Sequence, residues 1–238
     1  MNSGGRFGYC EEVSSRSRYT SPLHAGARSV ARRLILKPAI WRMVTVTVLG
    51  EENLREVSGP YVVVSNHTSH LDAPLIMGAL PGRLARYVAA GAAADYFFDV
   101  WWRKGLTALF FNAFPVDRTG LRGRKGLATS LLDDGVPLLL FPEGTRSRTG
   151  EIGTFKPGAA ALCISRDVPC LPVAIVGAAQ AMPYGKSWPD RGRPPVYVAF
   201  GEPLRPEDGE TVAQFSERIA KEVRGLIDLT TTYRDAQG

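Results

Sequence analysis

The sequence predicts a single α/β domain in which a mostly parallel sheet is flanked by helices on both faces, preceded by an N-terminal basic amphipathic helical arm. Runs of apolar, often β-branched residues alternate along the chain with stretches of helical periodicity. The runs are apolar at successive positions, so both faces of each strand would be buried, which is typical of parallel sheets. With 238 residues and 45% hydrophobic content, the chain has enough apolar material for one core.

Twelve elements follow from these patterns. The predicted strands are residues 44–49, 61–65, 86–90, 112–116, 137–141, 171–176 and 196–200. The predicted helices are residues 74–80, 96–110, 124–133, 159–165 and 212–229. The chain then divides into a disordered lead-in (1–22), a membrane-docking segment (23–43), the main domain (44–232) and a flexible tail (233–238).

The positive charge of the chain is concentrated at its start. Residues 1–43 contain eight Lys or Arg and two Glu, so their net charge of +6 equals that of the whole chain. Basic and apolar residues recur near helical spacing in the docking segment, where apolar groups such as Leu34, Ile35, Ile40 and Trp41 are expected to contact the membrane. This pattern predicts an amphipathic helix, kinked at Pro38, that binds an anionic membrane surface. An ordinary surface helix that covers the core is the alternative.

Several other classes of protein are disfavoured. Cys10, Cys163 and Cys170 lack the spacing of a disulfide framework or a zinc site, which favours a reducing cytosol and no metal. The polar start argues against a secretory signal, and prolines interrupt the longest uncharged run, residues 168–185, so no transmembrane helix is expected. The basic arm lacks interleaved aromatic residues, which argues against nucleic acid. We therefore expect a peripheral protein on the cytoplasmic face of the cell membrane.

Residues 61–72, YVVVSNHTSHLD, place a histidine just past an apolar strand and an aspartate five residues later. The carboxyl ends of parallel strands are where ligands are handled, and a turn through the loop could bring Asp72 to the His67 imidazole. Such a carboxylate would fix the tautomer and leave the other ring nitrogen free as a base. Alternatively, Asp72 caps the following helix and His67 is structural. His70 is a rival base.

A second strand, in residues 138–147, delivers another polar loop. The loop contains four candidates for an anion site: Glu143, Gly144, Thr145 and Arg146. Gly144 would allow close approach of a ligand, and Arg146 has the planar fork of donors that suits phosphate. Lys156 precedes a proline that would open a helix, and Arg118 follows a third strand in a charged turn. A polar turn with solvated charges is the alternative.

With the proline-containing strand at residues 171–175, these segments resemble, in order and spacing, the glycerolipid acyltransferase family that includes bacterial 1-acylglycerol-3-phosphate (lysophosphatidate) acyltransferases. The family's blocks are matched by Asn66, His67 and Asp72 (NH-four-D), by Asp117 and Arg118 (an Asp-Arg turn) and without change by residues 141–147 (FPEGTRS). The resemblance spans about residues 61–177, half of the chain.

The resemblance implies transfer of a fatty acyl group from acyl-CoA or acyl carrier protein to a hydroxyl of a lysophospholipid acceptor, in phospholipid biosynthesis. His67 would be the base and Asp72 its orienting partner. The implied acceptor site consists of Arg118, Glu143, Gly144, Thr145, Arg146 and Lys156. The transfer would be direct, without a cofactor or a covalent acyl-enzyme intermediate.

Three alternatives remain open at this stage. Ser65 and Ser69 lie close enough in sequence to His67 to act as the nucleophile of a triad. A non-catalytic anionic-lipid binding protein could keep the same fold. The acceptor could be another lysophospholipid or a glycolipid, because residues 89–98 lack the Lys-Glu-Leu-like segment common in bacterial lysophosphatidate enzymes.

Overall fold

A computed structural model describes residues 18–93, 109–116, 125–186 and 188–237 of the chain. These residues form a sheet with strands β1 (Thr45–Leu49), β2 (Val62–Ser65), β3 (Ala89–Ala93), β4 (Phe114–Val116), β5 (Leu138–Leu140), β6 (Cys170–Val176) and β7 (Pro195–Phe200). The order across the sheet is β1-β7-β6-β2-β5-β3-β4. Every neighbouring pair is parallel except β6 and β7. The predicted mostly parallel sheet is therefore confirmed.

Helices connect the strands and cover the sheet. They are α1 (Pro22–Ala31), a π-helical turn (Arg32–Leu36), α2 (Lys37–Met43), a 3-10 turn (Glu51–Leu54), α3 (Asp72–Ala79), α4 (Gly82–Ala85), α5 (Lys125–Asp133), α6 (Gly158–Arg166), α7 (Ala178–Ala181) and α8 (Val212–Gln237). Most of the predicted helix at 96–110 lies outside the described residues. α8 runs beyond its predicted end at residue 229, and the Tyr233 ring on this extension meets the Tyr197 ring of β7 edge-on.

Strand β3 begins three residues later than predicted, at Ala89 rather than residue 86. The short helix α4 was not predicted. Residues 86–88, which were predicted to belong to the strand, instead connect α4 to β3. Successive buried valines of β2 face opposite sides of the sheet. Val63 packs into a core beneath the arm and α3, whereas Val62 and Val64 face the core beneath α6 and α8. Both faces of the sheet are thus covered.

The N-terminal arm packs against the first of these cores. Ile40 is buried, and the Trp41 ring lies so close to α3 that a Cβ on Gly78 would come within 2.7 Å of it. The expectation that Ile40 contacts a membrane is therefore wrong, whereas Trp41 packs against the core and stays partly exposed. The order also starts earlier than the predicted boundary at residue 22: residues 18–20 are helical, and the buried Tyr19 hydroxyl donates to the Ala113 carbonyl at 3.2 Å.

Two arginines of the arm are buried and bind main-chain carbonyls. Arg32 donates to the carbonyls of Phe110 at 2.6 Å, Ala85 at 2.5 Å and Val88 at 3.3 Å. Arg28 donates to main-chain carbonyls at the start of the arm, including that of residue 18. Burial, together with the neighbouring charge of Arg28, lowers the pKa of Arg32 to about 10. Arg32 thus holds the arm to the domain, Arg28 holds the start of the arm to its first helix, and neither buried charge is available to a membrane surface.

The kink predicted at Pro38 takes the form of the π-helical turn just before α2. Proline has no main-chain N–H, so the i to i−4 ladder cannot continue through it, and an irregular turn at this point is expected. Across the described ranges, no helix combines the length and the apolarity that a bilayer crossing requires.

Candidate active site

The two polar loops meet because their strands are parallel neighbours. β2 pairs with β5 along its length, so both strands end at the same edge of the sheet. The loop after β2 carries His67, and the loop after β5 carries residues 141–147. A main-chain hydrogen bond from the Ser147 amide to the His67 carbonyl, 2.7 Å long, joins the two loops. The site is therefore built at the carboxyl edge of the sheet, as the sequence predicts.

His67 and Asp72 form a hydrogen-bonded pair. His67 Nδ1 lies 2.8 Å from Asp72 Oδ2, and because a carboxylate only accepts, Nδ1 carries the hydrogen. When the imidazole is neutral, this hydrogen bond selects the tautomer in which Nε2 is unprotonated. Nε2 has no hydrogen-bond partner in the described part of the protein, and the His67 side chain is 22% exposed. The imidazole is thus oriented on one side and open to a substrate on the other.

Asp72 is held rigidly in place. Its side chain is fully buried, and Oδ2 also accepts the main-chain amides of Thr68 at 2.6 Å and Ser69 at 2.8 Å. These amides precede α3, so the carboxylate closes the loop back on itself and does not cap the first turn of the helix in the usual way. The alternative that Asp72 is only a helix cap is inconsistent with this geometry.

The Phe141 ring stacks on the His67 imidazole, with centroids 4.1 Å apart and planes inclined by 19°. Stacking restricts the ring's rotation about the axis that the Asp72 hydrogen bond leaves free. The sequence motif contains Phe141, but sequence reasoning gave it no role because only the fold brings the end of β5 over the β2 loop.

The rival groups in the first loop have other partners. The Ser65 hydroxyl donates to the Asn66 carbonyl at 3.2 Å, and the Ser69 hydroxyl donates to the Met182 carbonyl at 2.9 Å. His70 is exposed, and partial desolvation together with the positive charge of Arg146 lowers its pKa. The carboxylate that could support His70 already binds His67. The geometry favours His67 over His70 as the base, and neither serine hydroxyl bonds to the His67 ring within the described residues.

Asn66 links the loop after β2 to β6. Its side-chain nitrogen donates to the Ile175 carbonyl and its side-chain oxygen accepts the Ile175 amide, both at 2.9 Å. The buried amide thereby continues the β2–β6 ladder after the β2 main chain has turned away toward His67. The family motif contains Asn66, but its positioning role follows only from the structure.

Glu143 joins the two loops from the other side. Its Oε1 accepts the His67 amide at 2.7 Å, and its Oε2 accepts the Gly153 amide at 2.9 Å. Burial raises the pKa of Glu143, whereas these two hydrogen bonds oppose the rise. Both carboxylate oxygens are committed to main-chain amides, so Glu143 is placed to shape the site and not to contact an anion.

Three cationic side chains surround the second loop. Gly144 has φ +75°, and a Cβ there would come within 2.9 Å of Lys156 Nζ, so the absence of a side chain lets Lys156 lie across the loop. The Arg146 guanidinium lies over the Tyr184 ring at 4.7 Å, with that of Arg148 at 5.4 Å. None of the three is in an ion pair with a described carboxylate. The cluster is suited to an anion.

Two predicted site residues remain, Thr145 and Arg118. The exposed Thr145 lies between Gly144 and Arg146 and has no side-chain hydrogen bond within the described ranges. Arg118 lies outside the described residues. No group of His, Cys, Asp and Glu side chains in the described structure is arranged to hold a metal ion.

A cavity of about 330 Å³ adjoins the loop after β2, on its β6 side. Asn66 and Thr68 line one wall, and residues 150–152, the start of α7 and the C-terminal half of α8 line the others. Its volume is at the lower end of the range for small-molecule sites. The cavity thus opens next to the loop that carries His67, although His67 itself does not line it.

Comparison with known proteins identifies the relatives of this site. A family model described as acyltransferase matches residues 45–176. A 1-acyl-sn-glycerol-3-phosphate acyltransferase of Chlamydomonas reinhardtii is 32% identical over 143 residues, 59% of this chain and 41% of that protein. The human 1-acyl-sn-glycerol-3-phosphate acyltransferase alpha is 35% identical over 127 residues, 50% of this chain and 41% of that protein.

A solved structure extends the similarity to most of the chain. The crystal structure of the 1-acyl-sn-glycerophosphate acyltransferase PlsC from Thermotoga maritima superposes with a TM-score of 0.65 and 27% identity, covering 85% of this chain and 83% of that one. By contrast, the chain spans about two fifths of the length of the first curated relatives it matches.

Proposed function

The chain belongs to the acyltransferase family, whose model matches more than half of it, and on that premise we propose that it acylates a lysophosphatidate-like glycerophospholipid precursor. The acyl group comes from a thioester donor, acyl-CoA or acyl carrier protein. One observation carries the proposal: the oriented, partly exposed His67 imidazole and the cations without a described carboxylate partner lie on two loops that the Glu143 carboxylate holds together. The names of the relatives support the same acceptor class.

The reaction proceeds by direct transfer. The acceptor hydroxyl gives its proton to His67 Nε2 as its oxygen attacks the thioester carbonyl carbon, and Asp72 stabilises the imidazolium that forms. The tetrahedral intermediate collapses with cleavage of the carbon–sulfur bond. The imidazolium then returns the proton to the departing thiolate. No serine is acylated, in keeping with the main-chain partners of Ser65 and Ser69.

The acceptor phosphate binds the cationic cluster. Arg146 supplies a fork of donors and Lys156 a point charge, and Arg118 is expected to join them. Glu143 fixes the loop after β5 to the His67 main chain. A phosphate bound by that loop would therefore lie at a fixed position relative to the base. This arrangement orients the acceptor hydroxyl, and positioning of this kind contributes a large share of catalysis.

We further propose that the protein works as a peripheral enzyme on an anionic membrane surface at the cytoplasmic face. Four large apolar side chains of the arm are exposed: Leu23 at 81%, Val30 at 58%, Leu34 at 68% and Ile35 at 58%. Leu23, Val30 and Leu34 are seven and four residues apart, which places them along one face of the helix. Arg33 and Lys37 are exposed beside them, and a face with these properties suits a bilayer interface.

The test is release of free CoA from a long-chain acyl-CoA in the presence and absence of 1-acylglycerol-3-phosphate, with analysis of the acylated position in the product. We expect release to depend on the acceptor and to be lost in His67→Ala. A lipid-binding protein without catalysis would instead retain the acceptor and release no CoA. A panel of other lysophospholipids and glycolipids as acceptors identifies the preferred headgroup.

A further inference from the structure

Tyr184 lies beside the cationic cluster, in the segment between α7 and β7 that no sequence motif includes. Its side chain is 47% exposed, and two guanidinium groups from the second loop contact its ring. The Cζ atoms of Arg146 and Arg148 lie 4.7 Å and 5.4 Å from the ring centroid. An aromatic face attracts a guanidinium through its quadrupole, so the ring restricts where the two planar forks can lie.

Both guanidinium groups thus lie against one aromatic ring, with neither Cζ atom more than 5.4 Å from its centroid. Neither Arg146 nor Arg148 has a carboxylate partner in the described part of the chain. The half-buried carboxylate of Glu143, in the same loop, accepts two main-chain amides. Unpaired neighbouring cations repel each other, and an anion that accepts hydrogen bonds from both relieves the repulsion. The pair is therefore organised in advance for an anion with several free oxygens.

We propose that Tyr184 is a positioning residue that sets the acceptor specificity of the site, and that Arg148 is a second arginine ligand of the acceptor phosphate. The inference rests on the proposed function and assigns these two residues to recognition of the phosphate monoester that the proposed lysophosphatidate-like acceptor carries. A monoester carries a charge of about −1.5 to −2 at pH 7 and has three free oxygens. A diester headgroup has one free oxygen fewer and less charge. Two arginines and Lys156 match the monoester.

The ring, and not the hydroxyl, carries this role. The Tyr184 hydroxyl has no protein hydrogen bond among the described residues, so Tyr184→Phe keeps both guanidinium contacts. Tyr184→Leu removes the aromatic face but keeps apolar bulk. Arg148→Gln removes the charge and leaves the ring in place. Together the three variants separate the contribution of the hydroxyl, the aromatic face and the second arginine.

The experiment measures KM and kcat for the full chain with two acceptors, 1-acylglycerol-3-phosphate and 1-acylglycerophosphoglycerol, and a long-chain acyl-CoA. We expect Tyr184→Leu and Arg148→Gln each to raise the KM for the monoester about fivefold. The KM for acyl-CoA, and the KM for the diester wherever the wild type turns it over, should change less than about twofold, while Tyr184→Phe matches the wild type. Because both substitutions act through one phosphate, the double variant should be less impaired than the product of the single effects.

Three results overturn the proposal. These are an unchanged monoester KM in Tyr184→Leu, an equal loss in Tyr184→Phe, and a rise confined to the acyl-CoA KM. An unchanged monoester KM accompanied by weaker vesicle binding would assign Tyr184 to membrane contact.

A wild-type protein that turns over neither acceptor would refute the proposed function, and binding then tests the arginine pair independently. Vesicles that contain the monoester or the diester lysolipid, matched in total negative charge, are pelleted with wild type, Tyr184→Leu and Tyr184→Phe. Selective loss of the monoester preference in Tyr184→Leu supports the pair as a monoester site. Equal pelleting of all three proteins with both vesicles overturns it.

Discussion

The Glu143 carboxylate accepts a hydrogen bond of 2.7 Å from the main-chain amide of His67, although the two residues are 76 positions apart in the chain. The other carboxylate oxygen accepts the Gly153 amide at 2.9 Å. One acidic side chain thus fixes the base-bearing loop to the loop that carries the cationic cluster. An acidic residue within an anion-binding motif is explained by this role, since its own charge would repel a phosphate.

We expect Glu143→Gln to lower kcat more than it raises the acceptor KM. Glutamine has only one carbonyl oxygen, so its NH2 group would face one of the two amide donors, and both loops would shift. Losing one such hydrogen bond should lower the free energy of unfolding by about 1 to 3 kcal/mol. Glu151→Gln, in the same loop but exposed, is the matched control. An increase in acceptor KM with unchanged kcat would assign Glu143 to substrate binding instead.

His67→Ala should leave a folded protein and reduce kcat by about 10² to 10⁴-fold, because a positioned general base contributes that much. The imidazole is partly exposed, so the loss of packing is small. His70→Ala is the control in the same loop and should retain most of the activity. Full activity of His67→Ala together with an inactive His70→Ala would reverse the assignment of the base. Circular dichroism of both variants checks that the fold is intact.

The sequence was sufficient for the sheet and for the His67–Asp72 pair, because both depend on local patterns. Apolar runs mark the buried strands, and a five-residue spacing after a strand lets the carboxylate reach the ring. The partners that come from distant parts of the chain were not predictable. Phe141, Glu143 and Tyr184 meet their partners only because β2 and β5 are neighbours and the segment after α7 returns to the same edge.

The burial of arginines in the arm was also missed, for a physical reason. Charge and periodicity describe an amphipathic helix but do not show which cations face main-chain carbonyls. Arg32 and Arg28 find carbonyl acceptors across 53 and 10 residues of sequence, respectively, and such contacts leave no periodic signal. The exposure of the apolar side chains of Leu34 and Ile35, by contrast, follows directly from the sequence pattern.

Lys156→Met should raise the acceptor KM with little effect on the acyl-CoA KM. A charge-assisted hydrogen bond contributes about 1.5 to 3 kcal/mol when desolvated, and because Lys156 is exposed we expect the lower end, about a tenfold change. Lys221→Met, at an exposed position of α8, controls for the loss of one positive charge. Equal KM values for a neutral monoacylglycerol and its phosphorylated form in the wild type would contradict the phosphate site altogether.

Arg32→Met should destabilise the protein by about 3 kcal/mol, because it leaves the buried carbonyls of Ala85 and Val88 and the half-buried carbonyl of Phe110 without their donor. At this chain length each kcal/mol corresponds to a fall in Tm of about 2 to 4 °C. Arg33→Met makes the same chemical change at an exposed neighbouring position and should change the Tm by no more than about 2 °C. Similar melting temperatures for the two variants would mean that the Arg32 contacts add no net stability.

Leu34→Glu should weaken binding of the protein to anionic vesicles at least about tenfold, since burial of one leucine side chain contributes roughly 1.5 to 3 kcal/mol and the new carboxylate is repelled by the surface. A substitution is preferable to deletion of the arm, because deletion would also remove Arg32 and Ile40 from the core.

Leu229→Glu is the matched control, because the Leu229 side chain on α8 is 71% exposed and the Leu34 side chain on the arm is 68% exposed. Co-sedimentation is measured at several salt concentrations. The contribution of Arg33 and Lys37 should fall as salt screens their charge, whereas the contribution of Leu34 should persist. Equal loss of pelleting in the two leucine variants would show that the arm is not the membrane-binding face.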